Sequence, residues 1–442
     1  MKKLLFSCFL LFIILGLFSY KYCCLDKKQN ILLIVVDTLS ANHIPTFNKD
    51  IKIESNFISK LANSGLTFQN AYSTSSWTKP TITSILSGLY PREHGVGTLT
   101  GTLSNDVKTL PYYLKENGYQ TLAVISHTIL DEKSNILKDF DFVKNVNPHN
   151  PHATIVANTV TDTVIKKLNE RDKDKPFLMF AHYFDPHYNY QDHKSINYTD
   201  PNYKGKATSG LHIIKLRDLT FNEEDKKQLN NLYHEEITYT DRALDRLYNY
   251  LKENNLLKNT IIVFTADHGE ELLDRDWIGH TKTLYNELIR IPLIISAKNL
   301  KSKEINNNVS QIDILPTLLS LLKIDNNNLK GINLTKIIKK GRMLFSEVIF
   351  QSSRHVKDAN KISVINDNYK LIKDRTTGVS EFYNLEKDRG ERDNQINNDE
   401  YKEIISSLNN QISNFEQRKL DTNDNIKFNK KELKDLESLG YL

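Results

Sequence analysis

Short apolar runs alternate with longer stretches of helical periodicity along most of this 442-residue chain. The alternation is clearest in three pairs: TLPYYLKENGY before TLAVIS, ATIVANTVTDTVIKKLNE before FLMFAHYF, and EEITYTDRALDRLYNYLKENN before TIIVFTAD. Such alternation indicates βαβ units, and hence an α/β fold with a mostly parallel sheet and helices on both faces. After Gly341 the pattern changes to short alternating strands, ISVINDNYKLIKD and SEFYNL, which predict a small antiparallel sheet. The chain is therefore expected to divide into a first domain over 29–340 and a small α+β subdomain over 341–442.

Two of the apolar runs end in acidic residues. ILLIVVDTLS reads as a strand buried on both faces that ends at Asp37, and NTIIVFTADHGEE reads as a second one that ends at Asp267 and His268. In an open α/β sheet, ligands bind beyond the carboxyl ends of the strands. The two strand ends can therefore share one site with Thr78, which begins a helical pattern in SWTKPTITSILSGLYPREHG. The alternative is that both acids only cap the ends of their strands.

Five ordered motifs carry a family resemblance. They are VVDTL, SWTKPTITSILSGLYPREHG, HYFDPHYNY, FTADHGEE and GHTKTLYNELIRIPLII, and the later segments YKLIKDRTTGVSEFYNLEKDRGE and ELKDLESLGYL follow the same pattern. In this order they resemble the sulfatase family, within the alkaline phosphatase superfamily, over nearly the whole chain after residue 29. The resemblance implies an alkaline phosphatase-like sulfatase fold, an arylsulfatase-like member, and a sulfatase-like catalytic domain over 29–340.

The chain departs from that family at the reacting residue. Sulfatases carry Cys, or sometimes Ser, at the start of C-x-P-x-R and convert it to a formylglycine, whereas Thr78 and Ile82 stand at the first and last of these positions here. Threonine has no known route to formylglycine, and the three cysteines, Cys8, Cys23 and Cys24, all lie at the N-terminus. Relatives with Thr at this position resemble phosphodiesterases and the membrane-anchored transferases that move phosphoethanolamine or glycerol phosphate onto envelope glycans or lipids.

The departure predicts phosphate chemistry. A threonine alkoxide can attack phosphorus and leave a covalent phospho-threonine, which water or an acceptor hydroxyl then resolves. Asp37, Asp267 and His268, with Thr78 as a fourth ligand, are predicted to hold one divalent metal ion that lowers the pKa of the hydroxyl. Two hard oxygens and one borderline nitrogen favour Mn²⁺ or Zn²⁺, with Ca²⁺ as the other candidate. We therefore expect a metal-dependent hydrolase or transferase that acts on phosphate esters, phosphodiesters above all.

A second layer of residues is carried over from the matching motifs. His187 in FDPHYNY, and His280 with Lys282 in GHTKTLY, are predicted to hold the anionic group and protonate the leaving oxygen. His127, after TLAVIS, lies where sulfatases often place a substrate-contacting group, and Lys79 either screens a phosphate or faces solvent. Asp185 is a candidate ligand for a second metal, as in two-metal members of the superfamily. DPHYNY is closer to the one-metal sulfatase pattern, which predicts a single metal.

The N-terminus and the overall charge limit location and partners. Lys2 and Lys3 precede an apolar run from Leu4 to Tyr20 that lacks an A-x-A cleavage site, which predicts a retained signal anchor over 1–25. The resemblance implies that the catalytic part lies outside the cytoplasm, in the periplasm or at the cell surface. The net charge of +5 is modest and no Arg-rich stripe is present, so nucleic acid is not an expected partner. The expected partners are the membrane and a phosphate or sulfate ester, with an envelope glycan or a lipid headgroup as candidate carriers.

Two other functions remain open on the sequence. One is a sulfuric ester hydrolase that works without formylglycine. The other is a non-catalytic relative that binds a glycan or lipid headgroup, for which the missing Arg at Ile82 is the motive. The presence of Asp37, Thr78, Asp267 and His268 together argues against the second, because a binding protein has no need of all four. Hydrolysis and transfer are not distinguished, although the absence of a multi-span membrane domain leans toward hydrolysis.

Overall fold

A computed structural model describes residues 28–147, 156–325, 328–351, 358–418 and 426–441. Its main sheet contains nine strands: β1 Asn30–Val36, β2 Leu66–Tyr72, β3 Gln120–Ile125, β4 Phe142–Asn145, β5 Phe177–Tyr183, β6 Thr260–Ala266, β9 Arg290–Ile291, β10 Leu293–Ser296 and β11 Lys303–Ser310. A separate hairpin pairs β7 Glu271–Leu272 with β8 Ile278–Gly279. The later sheet contains β12 Met343–Phe350, β13 Ala359–Asn366, β14 Tyr369–Asp374 and β15 Ser380–Asn384.

Helices connect and cover these strands. In chain order they are α1 Asn56–Ala62, α2 Thr78–Ser87, α3 Pro91–His94, α4 Leu110–Lys115, α5 Ala157–Glu170, α6 Ile213–Arg217, α7 Glu223–Glu253, α8 Asn286–Ile289, α9 Ile314–Leu321, α10 Lys402–Glu416 and α11 Lys430–Ser438. The long α7 packs against both α1 and α5. Among the described residues no helix is both long and apolar enough to cross a membrane, and the predicted anchor over 1–25 lies outside the described residues.

The centre of the main sheet is parallel. The strand order is β11-β2-β10-β6-β1-β5-β3-β4, with β9 beside β2, and β1 pairs in parallel with both β6 and β5. Every residue of β1 and β6 is buried, as expected for strands covered on both faces, which explains their unbroken apolar sequences. Only β9 and β10 run against their neighbours in this sheet. The prediction of an α/β fold with a mostly parallel sheet is confirmed.

The later part of the chain forms the antiparallel sheet that its alternating pattern predicts. Its order is β12-β13-β14-β15, and α10 packs on it through Phe415, which stacks on Phe345 with ring centroids 4.0 Å apart. Arg92 of α3 joins this sheet to the main one, because its side chain pairs with Glu347 of β12 at 2.9 Å and donates to the Glu416 carbonyl oxygen at 2.8 Å. The first strand of the sheet begins at Met343, close to the predicted boundary at 340/341, and that boundary stays a prediction.

Candidate active site and metal centre

The pairing of β1 with β6 brings two carboxylates together. Val36 lies opposite Ala266 in the parallel register, so the next residues, Asp37 and Asp267, leave the sheet side by side at its carboxyl edge. Asp267 is held by backbone donors, since its Oδ1 accepts from the Thr38 N–H at 3.1 Å and from its neighbour's N–H at 2.7 Å. Its Oδ2 remains directed at the site. Both side chains are fully buried.

His268 points one ring nitrogen at this pair. Its Nδ1 lies 2.8 Å from the Gly269 carbonyl oxygen. A carbonyl oxygen only accepts hydrogen bonds, so Nδ1 carries the proton and Nε2 of the neutral ring carries the lone pair. That Nε2 lies 3.6 Å from Asp37 Oδ1 and 3.4 Å from Asp267 Oδ2. Gly269 permits the turn, because a Cβ there would lie 2.0 Å from the Glu287 carbonyl oxygen. Burial lowers the pKa of His268, which keeps the ring neutral.

Thr78 faces the same nitrogen from the start of α2. Its Oγ1 lies 3.3 Å from His268 Nε2, and it is the first residue of a ten-residue helix whose residues are all buried. The N-terminus of a helix carries partial positive charge and free N–H groups, which favour an anion at this point. His94 supports the first turn from below, with Nε2 3.1 Å from the Pro80 carbonyl oxygen.

The donor set fits a divalent cation. Ligand atoms of Asp37, Asp267 and His268 lie within 4.8 Å of one another. Among the described residues, both carboxylate oxygens of Asp37 and the Oδ2 of Asp267 are buried without a hydrogen-bond partner. Burial, reinforced by the neighbouring carboxylates of Asp267 and Glu270, raises the pKa of Asp37 well above its ordinary value. A cation removes that cost, because two buried carboxylates with no compensating charge are unfavourable.

Histidines on neighbouring strand ends form a second layer. His127 follows β3 and His187 follows β5, and with Asp37 they form a second group whose ligand atoms lie within 4.8 Å of one another. The ring nitrogens have different roles. Ile129 donates its N–H to His127 Nδ1 at 3.2 Å, so the neutral His127 ring carries its proton on Nε2, which lies 3.8 Å from Asp37 Oδ2. A protonated nitrogen cannot ligate a metal, so His127 is suited to donate to an oxygen of a bound ester.

Asp185 has a structural task in this region. Its Oδ2 accepts from the N–H groups of Val156 at 3.1 Å and Ala157 at 2.6 Å, at the start of α5. The carboxylate is thus engaged in capping a helix, which is a common use of an aspartate at such a place. This geometry favours the one-metal arrangement over a second metal held by Asp185.

His280 lies beside His268 and belongs to a chain of hydrogen bonds. The two rings are 4.6 Å apart between centroids, and His280 Nδ1 lies 2.9 Å from Glu270 Oε1. Donation to that carboxylate leaves the lone pair on Nε2, which lies 3.4 Å from the Tyr441 hydroxyl. Burial lowers the pKa of His280 well below its ordinary value. His280 Nε2 can therefore accept a hydrogen bond from a hydroxyl group at the position that the Tyr441 hydroxyl occupies.

The two predicted lysines have other contacts. The Lys79 ammonium donates to the Leu99 carbonyl oxygen at 2.6 Å and lines a cavity of about 190 Å³ next to the site. It follows Thr78 on a helix, where successive side chains are rotated by about 100°, so the two side chains leave the helix in different directions. The Lys282 ammonium lies 3.9 Å from the centroid of the Trp277 ring. Ile82, at the position of the usual Arg, is fully buried. The substrate-binding role of Lys79 and the catalytic role of Lys282 stay predictions.

Three residues of the site carry no assigned role in the sequence analysis. They are Glu270, His182 and Tyr441, all fully buried. His182 lies at the end of β5 with Nε2 3.7 Å from Asp37 Oδ2. Glu270 and Tyr441 lie inside two of the matched motifs, FTADHGEE and ELKDLESLGYL. That position is the one feature of the sequence that could have indicated that they belong to the site.

Comparisons with known proteins agree with this geometry. A family model described as Sulfatase matches residues 29–324, and one described as N-sulphoglucosamine sulphohydrolase, C-terminal, matches residues 276–418. An arylsulfatase of Clostridium perfringens is 24% identical over 453 residues, which cover 86% of this chain and 93% of the relative.

Two solved structures share the fold. One is a protein in complex with its substrate D-glucosamine-2-N,6-O-disulfate, with a TM-score of 0.76, 19% identity, and coverage of 89% of this chain and 98% of that one. The other is the phosphonate monoester hydrolase of Agrobacterium radiobacter, with a TM-score of 0.73, 17% identity, and coverage of 89% and 96%. At these identities the likeness shows the fold alone.

Proposed function

The chain belongs to the sulfatase family of the alkaline phosphatase superfamily, whose members hydrolyse sulfuric or phosphoric esters. On that premise we propose that it cleaves phosphate esters, phosphodiesters above all, with Thr78 as nucleophile. One observation supports this most directly. The Thr78 hydroxyl lies 3.3 Å from the free nitrogen of His268, at a helix N-terminus and beside two buried carboxylates. Thr78 Oγ1 and His268 Nε2 can therefore ligate the same cation, and a hydroxyl bound in this way is suited to lose its proton and attack an anionic centre.

Asp37, Asp267, His268 and Thr78 would hold the proposed divalent cation, Mn²⁺ or Zn²⁺ by the chemistry of the donors. When bound, such an ion acts as a Lewis acid that lowers the pKa of a hydroxyl and offsets negative charge. Asp267 and His268 are each oriented by a backbone contact, so their ligand atoms are in place before an ion arrives. Such orientation of ligands raises metal affinity.

The remaining residues act on the ester and on the acceptor. Thr78 Oγ1 forms a bond to phosphorus as the bond from phosphorus to the leaving oxygen breaks. His280 Nε2 takes the Thr78 hydroxyl proton and passes it to the leaving oxygen, so the products are a phospho-threonine and a free alcohol. His127 Nε2–H donates to a non-bridging oxygen of the ester, and the first N–H groups of α2 face the same charge. In the second step His280, oriented by Glu270, accepts a proton from the water whose oxygen bonds to phosphorus as the bond to Thr78 Oγ1 breaks, and it returns that proton to Oγ1. His187 and Lys282 complete the proposed set of groups that contact the anion.

The choice of phosphorus over sulfur rests on the nucleophile. Release of a sulfated formylglycine proceeds by expulsion of sulfate from a hemiacetal. A sulfated threonine cannot follow this route, because its Cβ carries no second hydroxyl from which a carbonyl could form. A phospho-threonine, by contrast, is resolved by direct attack of water on phosphorus. The likeness in fold to a phosphonate monoester hydrolase supports phosphoryl chemistry on this scaffold.

The test measures turnover of an aryl phosphodiester, an aryl phosphate monoester and an aryl sulfate by the purified chain with added Mn²⁺ or Zn²⁺. We expect the phosphodiester to be cleaved fastest. Thr78→Ala should lower that rate by about 10⁴-fold or more, because removal of a nucleophile that acts with its partners leaves only binding and electrostatic catalysis. Thr78→Ser is the matched control, since it keeps the hydroxyl and should retain activity. Full activity in Thr78→Ala contradicts the proposal.

A second candidate function is hydrolysis of a sulfuric ester without formylglycine. It is favoured by the family itself and by the likeness in fold to a protein solved with D-glucosamine-2-N,6-O-disulfate. The same assay separates the two, because Thr78-dependent release of sulfate without release of phosphate supports this candidate. Turnover that appears only when a glycan or lipid hydroxyl is added supports a transferase, and binding without any turnover supports the non-catalytic alternative.

We also propose that the chain is anchored in a membrane through residues 1–25, with its catalytic part outside the cytoplasm, near envelope glycans or lipid headgroups. The apolar run from Leu4 to Tyr20 between lysines supports the anchor, and the absence of any cysteine after Cys24 is compatible with an oxidising compartment. Protease treatment of intact and permeabilised cells tests this. Digestion only after permeabilisation of the inner membrane contradicts it.

A further inference from the structure

The site is closed to solvent. Thr78, Asp37, Asp267, His268, His127 and His280 are each fully buried. An ester in solution cannot reach the Thr78 hydroxyl while these side chains stay covered. Some element above the site has to move when substrate binds, and enzymes commonly use a loop or a chain segment for this purpose.

The segment 426–441 is the element that covers Thr78. It consists of an extended approach, helix α11, and a turn that inserts Leu439 and Tyr441 into the body of the protein, both fully buried. The Tyr441 hydroxyl lies 3.4 Å from His280 Nε2. Its ring lies 6.2 Å from His127 and 6.4 Å from Trp77, measured between ring centroids. Tyr441 thus fills the space between the nucleophile's neighbours.

A hydrogen bond and a close backbone approach hold the inner end of this segment. The Tyr188 hydroxyl donates to the Leu439 carbonyl oxygen at 2.6 Å. Gly440 adopts a left-handed φ of +65°, and a Cβ at this position would lie 3.0 Å from Ile213 Cγ2 of α6. Glycine therefore allows the turn to approach α6 and bring Tyr441 inward.

The outer side of the segment is attached more loosely. Lys133 and Glu432 form an ion pair at 2.5 Å whose side chains are 42% and 27% exposed, and exposed pairs of this kind contribute little. Beneath α11 lies the cavity of about 190 Å³, lined by Leu436 and Asp435 on the side of the segment and by Lys79 and Ile129 on the side of the body. Close packing is therefore incomplete between α11 and the body, which lowers the cost of separating them.

We propose that residues 426–441 are a movable lid over the active site and that Tyr441 is its inner face. In the closed state the Tyr441 hydroxyl takes the place beside His280 that the water or acceptor hydroxyl occupies during the reaction. In the open state the ester reaches Thr78. The assignment of Thr78 as the reacting group rests on the proposed function, whereas the motion of the lid does not.

Trp77 provides a reporter of lid opening that does not depend on catalysis. The chain contains two tryptophans, and Trp77 is fully buried under Tyr441, so a Trp277→Phe background leaves one indole to follow. We expect acrylamide quenching of Trp77 to rise several-fold in Tyr441→Ala, because the ring that covers Trp77 is removed. Quenching should rise likewise in Gly440→Ala, because a Cβ leaves no room for the turn. Glu432→Gln should raise it by at most about fivefold, because a surface ion pair is lost while Gln keeps the capping contact to Asn429.

The matched control is Glu437→Gln, an exposed residue of the same helix, which should leave quenching unchanged. Circular dichroism and thermal unfolding confirm that each variant is folded. If Trp77 is shielded from acrylamide equally in Tyr441→Ala, in Gly440→Ala and in the background protein, then segment 426–441 does not cover the site in solution, and the proposal is wrong.

A reversible lock tests whether opening is required. Cys8, Cys23 and Cys24 are changed to Ser, Lys133→Cys and Glu432→Cys are introduced, and the new pair is joined by a reductively cleavable bismaleimide. We expect the lock to lower both Trp77 quenching and ester turnover, and reduction of the linker to restore both. Single-cysteine variants treated in the same way are the controls. A locked protein that turns over at the unlocked rate overturns the lid. If no ester is cleaved by any form, the proposed function fails while the quenching result still decides the lid.

Discussion

Two of the regions in which the molecule buries charged residues compensate those charges in opposite ways. At the carboxyl edge of the main sheet, Asp37 and Asp267 are fully buried, and among the described residues neither forms an ion pair with a lysine or an arginine. Around the later sheet, buried acids are paired. Asp313 forms a bidentate pair with Arg342 at 2.5 and 2.6 Å, and Glu391 lies 2.6 Å from the buried Lys370 ammonium.

The presence or absence of a basic partner separates buried carboxylates that stabilise the fold from buried carboxylates that form a ligand site. A buried carboxylate that meets a guanidinium or an ammonium is compensated by the chain itself and serves the fold. A buried pair of carboxylates without such a partner costs stability unless an external cation supplies the charge. The cost at Asp37 and Asp267 therefore indicates that this region is shaped for a ligand, whereas the Asp313 and Glu391 regions are complete.

Asp37→Asn gives the sharpest test of the comparison. We expect bound metal to fall to background and turnover to be lost, because Asp37 contributes to the cation site with two unpaired oxygens. The free energy of unfolding of the metal-free chain should not decrease, since one of two buried like charges has been removed. Elemental analysis and urea unfolding measure the two quantities. Metal content equal to that of the wild type removes Asp37 from the cation site.

Asp313→Asn should give the reverse result. The change leaves the Arg342 guanidinium without its partner in a largely buried position, which costs about 3–5 kcal/mol of unfolding free energy. Metal content should stay the same. Asp245→Asn is the control, because Asp245 pairs with Lys60 at the surface and its loss should cost about 1 kcal/mol or less. Equal effects of the two changes would mean that burial of the Asp313 pair has no influence on its contribution.

Removal of the metal should lower stability to a smaller extent. An ion that binds only the folded chain at about 100 times its dissociation constant stabilises it by about 2.7 kcal/mol, and a chelator should remove that amount. Asp37→Asn should not respond to the chelator. Denaturant unfolding with and without chelator measures the effect, and a wild-type chain indifferent to both chelator and added Mn²⁺ or Zn²⁺ speaks against a cation site.

The smallest effect concerns Glu271, a buried acid just outside the cation site. Among the described residues both of its carboxylate oxygens lack a hydrogen-bond partner, and burial raises its pKa from 4.5 to about 8. The folded state then binds more protons than the unfolded state between these values, so stability falls as pH rises through this window, by about 1.4 kcal/mol per pH unit at most.

Glu271→Gln should flatten that slope, whereas the exposed Glu437→Gln should leave it unchanged. Residual dependence is expected from Asp185, whose pKa burial also raises to about 8. Unfolding free energies measured from pH 5 to 9 decide the matter. An identical slope in the wild type and in Glu271→Gln contradicts the role assigned to this carboxylate.

Much of the architecture follows from local sequence. The unbroken apolar runs before Asp37 and Asp267 predict strands covered on both faces, and the structure has β1 and β6 there as parallel neighbours. Once those strands pair in register, the acids are adjacent, so the core of the candidate site is a consequence of strand pattern and sheet topology. The metal and catalytic roles of these residues stay predictions.

The rest depends on contacts between distant parts of the chain. Tyr441 is separated from Thr78 by more than three hundred residues of sequence, and nothing in the local pattern of LESLGYL indicates that its ring lies beside His127 and His280. Glu270 and Glu271 are both fully buried, and two adjacent acidic residues do not indicate this by their sequence. The Lys282 ammonium lies over the Trp277 ring, a contact that the motif does not specify, and the catalytic role of Lys282 stays a prediction.

The contact of Arg92 with Glu347 and Glu416 has a consequence for how this protein can be divided. Glu347 is almost fully buried and is shared between Arg92 from the main sheet's side and Arg375 from its own sheet. Cutting the chain between the two sheets would remove Arg92 from Glu347 and would expose Phe350, which packs against Trp77. We therefore expect that the later sheet does not fold as a separate fragment, because its buried acid and its aromatic contact are completed by the helices that follow β2.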